Sequence, residues 1–256
     1  MAGKKNNTVC LITTNEVKVM QCEFSETQFL FGVLHELTNK LNPGNGWTAP
    51  IIPTQVDEKN LGYDCKLQSN LRTIFFQFKV PEKLTRSNAK YWSEFNDEYY
   101  LFKIWPDSLT PQHNKLVDLA NEDVRYNVFY CSPAFIKNSE YSDFYEKGEI
   151  AKNSIYVSCK DLDKINGDDK HDISYTINPR RTIMHSNNPQ ILKSLGYEEF
   201  SKDVKDSKPY SDLKECVLEL SKTFEIEISY NQSTQEQLQM IANELLVKRD
   251  IHLLLF

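Results

Sequence analysis

Thr73-Ile-Phe-Phe-Gln-Phe-Lys-Val80 is the segment on which the fold turns. Ile, Phe and Val favour a pleated strand. Side chains of a strand alternate between faces, so Ile74, Phe76, Phe78 and Val80 form one apolar face. Phe75, Gln77 and Lys79 share the other. The first face reads as core, and an amide and an ammonium stand one pleat apart opposite it. Upstream lies Leu61-Gly-Tyr-Asp64, and a hairpin through Leu67 to Arg72 brings Asp64 beside that pair. A carboxylate, an amide oxygen and a lysine gathered in this way are suited to hold a divalent cation and to stabilise a phosphate under attack. The same residues also suit a strand with one solvated face, which commonly carries Gln and Lys.

The chain has 256 residues, 40% hydrophobic and 26% charged, enough for a substantial core without staples. No apolar run reaches the length of a membrane span, and the N-terminal residues lack the apolar core of a secretory signal. The expectation is a cytoplasmic protein with no membrane association. Six cysteines are scattered without a CxxC, which points to reduced thiols rather than disulfides or zinc. A formal charge of −6 argues against a general nucleic-acid coat protein but leaves room for a local basic groove. Lys79, Lys83, Arg86, Lys90 and Lys103 gather around the hairpin, interrupted by Glu82, Glu94, Asp97 and Glu98. No GxxxxGK, GxGxxG or nucleophile elbow is present.

Along the chain, Thr8 to Met20 reads as a strand pair. Ser25 to Leu41 reads as a helix opened by the capping box Ser25…Gln28 and closed by Asn42-Pro-Gly-Asn-Gly46. Trp47 to Pro53 is extended, and Pro81 stops the central strand. A short helix over Ser87–Phe95 and a strand over Tyr99–Trp105 follow. Thr110 and Pro111 then open a helix through Ala120. Strands are expected over Tyr126–Cys131, Asn153–Ser158 and His171–Ile177, a helix over Ser139–Lys147 and a charged loop over Asp161–Lys170. Beyond Leu195 come a helix (Ser211–Lys222), a strand (Phe224–Tyr230), a helix (Ser233–Val247) and a strand (Ile251–Phe256). The fold class is α/β (α+β), a mixed central β-sheet flanked by helices. The core domain spans 1–195, and a helix-strand-helix-strand extension over 196–256 is either an appendage or part of the same domain.

The order helix, hairpin, strand, helix, strand, with the acid and Gln-x-Lys on adjacent strands, resembles the PD-(D/E)XK nuclease superfamily. More narrowly it resembles the branch in which glutamine replaces the second acid, as in Mrr-like restriction endonucleases and several phage-defence nucleases. The likeness covers about Ser25 to Cys131. Ile-Pro-Thr-Gln55, Leu-Gly-Tyr-Asp64 and Phe-Gln-Phe-Lys79 are also similar to parts of a bacterial family of unknown function with this layout.

The resemblance implies a restriction-endonuclease-like core and a metal-dependent endonuclease that hydrolyses DNA with Mg2+ or Mn2+, in bacterial antiviral defence. Asp64 matches the first-strand metal ligand and Gln77 the substituted second ligand. Phe78 offers its backbone carbonyl, and Lys79 matches the lysine that orients the attacking water and stabilises developing charge. The superfamily adds a glutamate from the preceding helix. Glu26, on the stripe of Leu30, Val33 and Leu37, and Glu36, on the flank, are both candidates. Glu26 also reads as a first-turn acid favouring the helix dipole, and Glu36 as a surface charge. Lys83 and Arg86 would contact DNA, and Gln112 and His113 open the helix where the fold sets auxiliary residues near the phosphate.

Two departures stand out: Tyr63 occupies the place of the superfamily's proline, and Gln77 removes one negative charge, which weakens Mg2+ binding. Some superfamily members keep the fold without activity. The alternative is therefore a catalytically inactive nuclease-like binding or assembly subunit of a defence complex. DNA is the partner in the first case and a protein complex in the second, with a homo-oligomer open in both. A third possibility is an unrelated α/β protein with a decorated strand. Arg180-Arg181 reads as a phosphate contact or a solvated turn. Trp47, Trp92 and Trp105 can stack on bases, although most of the aromatic residues must be core.

Overall fold

The segment Arg72–Phe78 is a strand, paired antiparallel with Cys65–Ser69 on one side and parallel with Tyr126–Pro133 on the other. The computed structural model describes residues 19–40, 63–69, 72–168, 170–223, 225–229, 231–234, 236–237 and 240–241. The expected strand pair before residue 19, the segment from Asn42 through Pro53, Gln55 and the terminal strand over 251–256 lie outside the described residues.

In chain order the strands are β1 (Val19–Met20), β2 (Cys65–Ser69), β3 (Arg72–Phe78), β4 (Glu82–Leu84), β5 (Tyr99–Ile104), β6 (Tyr126–Pro133), β7 (Ser154–Ser158), β8 (His171–Ile177), β9 (Arg180–His185), β10 (Gln190–Leu192) and β11 (Ser194–Leu195). The helices are α1 (Glu26–Lys40), α2 (Trp92–Phe95), α3 (Gln112–Glu122), α4 (Asn138–Lys147), α5 (Tyr197–Asp206) and α6 (Leu213–Thr223). Ser25 caps α1 as its sequence suggests, its hydroxyl oxygen accepting the Gln28 N–H at 3.1 Å.

The class is mixed α and β, but with two sheets where one was expected. A six-stranded sheet runs β1-β4-β5-β8-β9-β10, and a five-stranded sheet runs β11-β7-β6-β3-β2. The reason lies in β3, whose two faces are both buried. Ile74, Phe76 and Phe78 pack against α1, α4 and α5 through Phe29, Val33, Tyr141 and Phe200. Phe75, on the opposite face, packs with Phe102, Tyr130, Ile173 and Tyr175 in a core between the sheets. Each buried aromatic or aliphatic side chain contributes about 1.5–3 kcal/mol. Edge-to-face pairs such as Phe29–Phe78, with centroids 5.6 Å apart, add about 0.5–1.5 kcal/mol. Tyr175 ties the layers together by donating to the Pro133 carbonyl at 2.5 Å, with Ser132 Oγ 2.8 Å away.

A parallel pair requires a crossover. Here the chain leaves β3, builds β4 and β5 into the other sheet, and returns through α3 to β6. Gln112 and His113, which open α3, therefore stand at the carboxyl end of β3.

Two local expectations fail. The run Arg180-Arg-Thr-Ile-Met-His185 is a strand that its charged start conceals: both arginines are exposed, while Ile183 and Met184 are buried. The strand expected over 224–230 is irregular in its described residues. Glu225, at φ 53°, turns the chain after α6, and Ile226 and Ile228 pack on the inter-sheet core without a strand. Cys216, Val217, Leu220 and Ile241 join that same core, so the residues beyond 196 complete the packing of those before it. No helix among the described residues is long and apolar enough to cross a membrane.

Candidate functional site at the carboxyl end of β3

Asp64 immediately precedes β2. Its N–H donates to the Phe76 carbonyl at 2.8 Å, which extends the β2–β3 ladder by one bond. Its carboxylate then takes over from the backbone: Oδ2 accepts the Phe78 N–H at 2.6 Å and the Gln77 side-chain amide. Bonds to an ionised acceptor of this kind are about twice as strong as neutral ones. Asp64 is 8% exposed and Gln77 fully buried.

Gln77 stands beside Tyr130 in the parallel register with β6. Its amide nitrogen donates to Asp64 and to the Phe78 carbonyl, at 3.3 Å in the latter case. Its oxygen Oε1 is buried without a hydrogen-bond partner.

Lys79 follows β3 directly and is half-buried. Its ammonium donates to Gln112 Oε1 at 3.3 Å, which links the strand end to the first turn of α3. His113, the next residue, is buried between two partners. Nε2 lies 2.9 Å from the Asp163 carbonyl and Nδ1 lies 3.1 Å from the Tyr130 hydroxyl. A carbonyl can only accept, so Nε2 carries the hydrogen and Nδ1 accepts from Tyr130. Burial lowers the His113 pKa from its ordinary 6.5, only partly opposed by the Asp163 carbonyl. Burial raises the Tyr130 phenol well above its usual range, with the charges of Cys159 and Asp64 adding to the effect. Both ring nitrogens of His113 thus fasten the start of α3.

A cleft of about 360 Å3 adjoins Lys79, lined also by Glu26, Glu82, Phe102, Lys103 and Trp105. Glu82 accepts from Lys103 at 3.0 Å and from Gln21 at 3.2 Å. Trp105 is 54% exposed.

No family model, curated protein or solved structure matches this chain. The site therefore stands on its own geometry.

That geometry separates the residues singled out from the sequence. Asp64, Gln77 and the Phe78 backbone are in direct contact, Lys79 and Gln112 are joined to each other, and Glu26 borders the Lys79 cleft. Glu36 is used differently: it is 3% exposed, and its two oxygens accept the N–H groups of Ile150 at 2.6 Å and Ala151 at 3.0 Å. It ties α1 to the segment before β7. Lys83, on β4, pairs with Glu98 at 2.7 Å, and Arg86 lies exposed in the bend beyond β4. Lys90 pairs with Asp172 at 3.3 Å, so the basic cluster is largely neutralised in place. Arg180 pairs with Glu199 and Arg181 with Glu94 at the exposed start of β9, so both guanidinium groups are neutralised on a strand rather than in a turn. His185 stacks on Tyr91 with centroids 3.4 Å apart and shares a 2.6 Å hydrogen bond with Ser174. His171 is buried on β8 opposite Ile104.

Sequence inspection passes over Tyr130 as a site neighbour. It lies in an apolar run, and only the parallel register sets it beside Gln77. Among the described residues no group of three His, Cys, Asp or Glu side chains could hold a metal ion. Any cation here would rest on a mixed set of carboxylate, amide and carbonyl oxygens.

Proposed function

We propose that this chain is a metal-dependent endonuclease of the PD-(D/E)XK type, in the branch that uses glutamine as second ligand, hydrolysing DNA phosphodiester bonds in bacterial antiviral defence. One observation carries the proposal: Asp64 and Gln77 touch at the carboxyl end of β3, with Lys79 one pleat further on and bonded to Gln112. Strand carboxyl ends facing the start of a helix are the usual ligand crevice of α/β sheets.

The oxygens available are hard donors that suit Mg2+ or Mn2+. Gln77 Oε1 is buried without a partner, which costs about 1–3 kcal/mol. Turning the side-chain amide over would bring that oxygen to Asp64 and the Phe78 carbonyl in place of the nitrogen, where a cation would offset the cost. Asp64, Gln77 and the Phe78 carbonyl would hold the ion. Glu26 is the better helix carboxylate, because Glu36 already commits both oxygens to backbone N–H groups. When bound, the ion would act as a Lewis acid on the phosphate and lower the pKa of a coordinated water. Lys79 would donate to the phosphate oxygen on which charge develops, its direction set by Gln112.

The test is cleavage of DNA, duplex and single-stranded, with Mg2+ or Mn2+. Lys79→Ala should cut the rate by about 100- to 1000-fold while melting like the parent. A parent that cleaves nothing, or a variant that cleaves as fast, ends this assignment.

A second reading, a silent nuclease-like subunit that binds or assembles without cleaving, has one observation in its favour. The nitrogen of Gln77, not its oxygen, faces Asp64, so the Asp64 carboxylate is already satisfied without a cation. Calorimetric titration with Mn2+ separates the readings: binding that disappears in Asp64→Asn supports the hydrolase, and its absence in the parent supports the silent subunit.

A further inference from the structure

Trp105 stands apart from the other described tryptophan. Trp92 is half-buried in the packing of α2, whereas Trp105 is 54% exposed at the rim of the cleft that holds Lys79. The turn that follows it is held firmly. The Leu109 and Thr110 N–H groups both donate to the Pro106 carbonyl at 3.0 Å, forming a turn that runs from Trp105 directly to Gln112. Asn114 on α3 donates to Asp107 at 2.9 Å and braces the same turn. A large aromatic face next to a braced turn, beside a concave polar cleft, is a prepared surface for a flat ligand.

The charges around it narrow the class of ligand. Duplex binding depends on rows of cations along the phosphates. Here the chain carries −6, and Lys83, Lys90 and Lys103 are each paired with a carboxylate. Long-range phosphate tracking is therefore weak, and affinity has to come from a short contact. Base stacking on an aromatic side chain provides that, and it requires a base that is not already stacked in a duplex. The cleft volume of about 360 Å3 falls within the range of small-ligand sites.

We infer that this cleft binds an unpaired nucleotide of single-stranded DNA, its base stacked on the Trp105 indole and its phosphate against Lys79. The inference rests on the nucleic-acid part of the proposed function and names the form of the substrate. Glu26, which lines the same cleft, would sit on the cation side of the phosphate.

The experiment is fluorescence anisotropy with a labelled oligothymidine strand and an abasic strand of equal length, both in excess EDTA so that no cleavage intervenes. The parent should bind oligothymidine on the order of tenfold more tightly than the abasic strand. Trp105→Ala should lose about that factor for oligothymidine only, and Trp105→Phe should keep most of it. Equal binding of the two strands by the parent, no binding of either, or unchanged affinity in Trp105→Ala overturns the inference. The abasic comparison needs no variant, so it holds whatever a substitution does to folding. Cleavage is scored in a parallel assay with Mg2+. Strand binding without cleavage overturns the hydrolase and leaves the stacking contact standing. Cleavage with equal affinity for both strands does the reverse.

Discussion

The Phe78 N–H donates at 2.6 Å to the carboxylate of Asp64, one residue before the start of β2. Asp64 is therefore a structural cap as well as a candidate ligand. Asp64→Ala would leave two buried donors, the Phe78 N–H and the Gln77 amide, without their partner. We expect a loss of about 2–4 kcal/mol in urea unfolding. Asp64→Asn should lose less, because its carbonyl oxygen can still accept from Phe78. If Asp64→Ala unfolds at the parent's midpoint, this bond contributes nothing.

Gln77→Glu puts two carboxylates in contact inside a buried site. Like charges at that distance raise the pKa of one of them. Without metal the variant should lose about 2 kcal/mol near neutral pH, since each pKa unit is about 1.4 kcal/mol. Added Mn2+ should raise its melting temperature more than it raises the parent's. A variant indifferent to Mn2+ would show that no cation enters between residues 64 and 77.

Gln112→Ala releases the Lys79 ammonium while leaving its charge in place. Both partners are partly exposed, so stability should change by less than about 1 kcal/mol. Cleavage should fall roughly tenfold through kcat, less than for Lys79→Ala, because orientation alone is lost. Steady-state kinetics on both variants distinguishes the two roles, and an equal loss in each would argue against a merely orienting Gln112.

Stability should fall on mild acidification. Burial lowers the pKa of both His113 and His185 below the ordinary 6.5. The unfolded chain then binds more protons than the folded one, so the contribution is complete above about pH 6.5 and is lost as the pH drops toward the folded values. Melting temperatures measured from pH 7.5 to 5 should decline, and His113→Gln should flatten the decline. A melting temperature independent of pH across that window would contradict the buried neutral imidazoles.

Glu36→Ala and Glu26→Gln should behave oppositely. The first removes the acceptor of two backbone N–H groups and should lose about 2–4 kcal/mol. The second, at a half-buried position on the cleft, should leave the unfolding midpoint within about 0.5 kcal/mol and weaken Mn2+ binding. Calorimetry and urea titration on the same preparations make the comparison.

The parts legible in the sequence were those written in local pattern. Ile74, Phe76 and Phe78 do share one face of β3, Ser25 does cap α1, and Asp64 does reach Gln77 across the hairpin. What stayed hidden depends on partners distant in sequence. Nothing in the alternation of β3 says that Phe75 meets a second sheet, since an apolar face looks the same against helices or strands. Nor does Glu36 announce two backbone partners more than a hundred positions away. Ile226 and Ile228 alternate as a strand would, yet the chain there finds core without finding an edge to pair with. Trp105 could be named as a stacking residue, but only the fold brings it to the same cleft as Lys79.

The path of the backbone between the two sheets has a consequence for how the molecule assembles. It lays β1 in one sheet, β2 and β3 in the other, β4 and β5 back in the first, and continues to exchange until β11. No break in the chain between β2 and β10 leaves either sheet whole. Neither layer can mature as an independent foldon, and most pairings join distant positions, so acquisition of the native state should be slow and all-or-none. Two halves expressed separately would recover structure only by reassociating, each supplying strands that the other lacks.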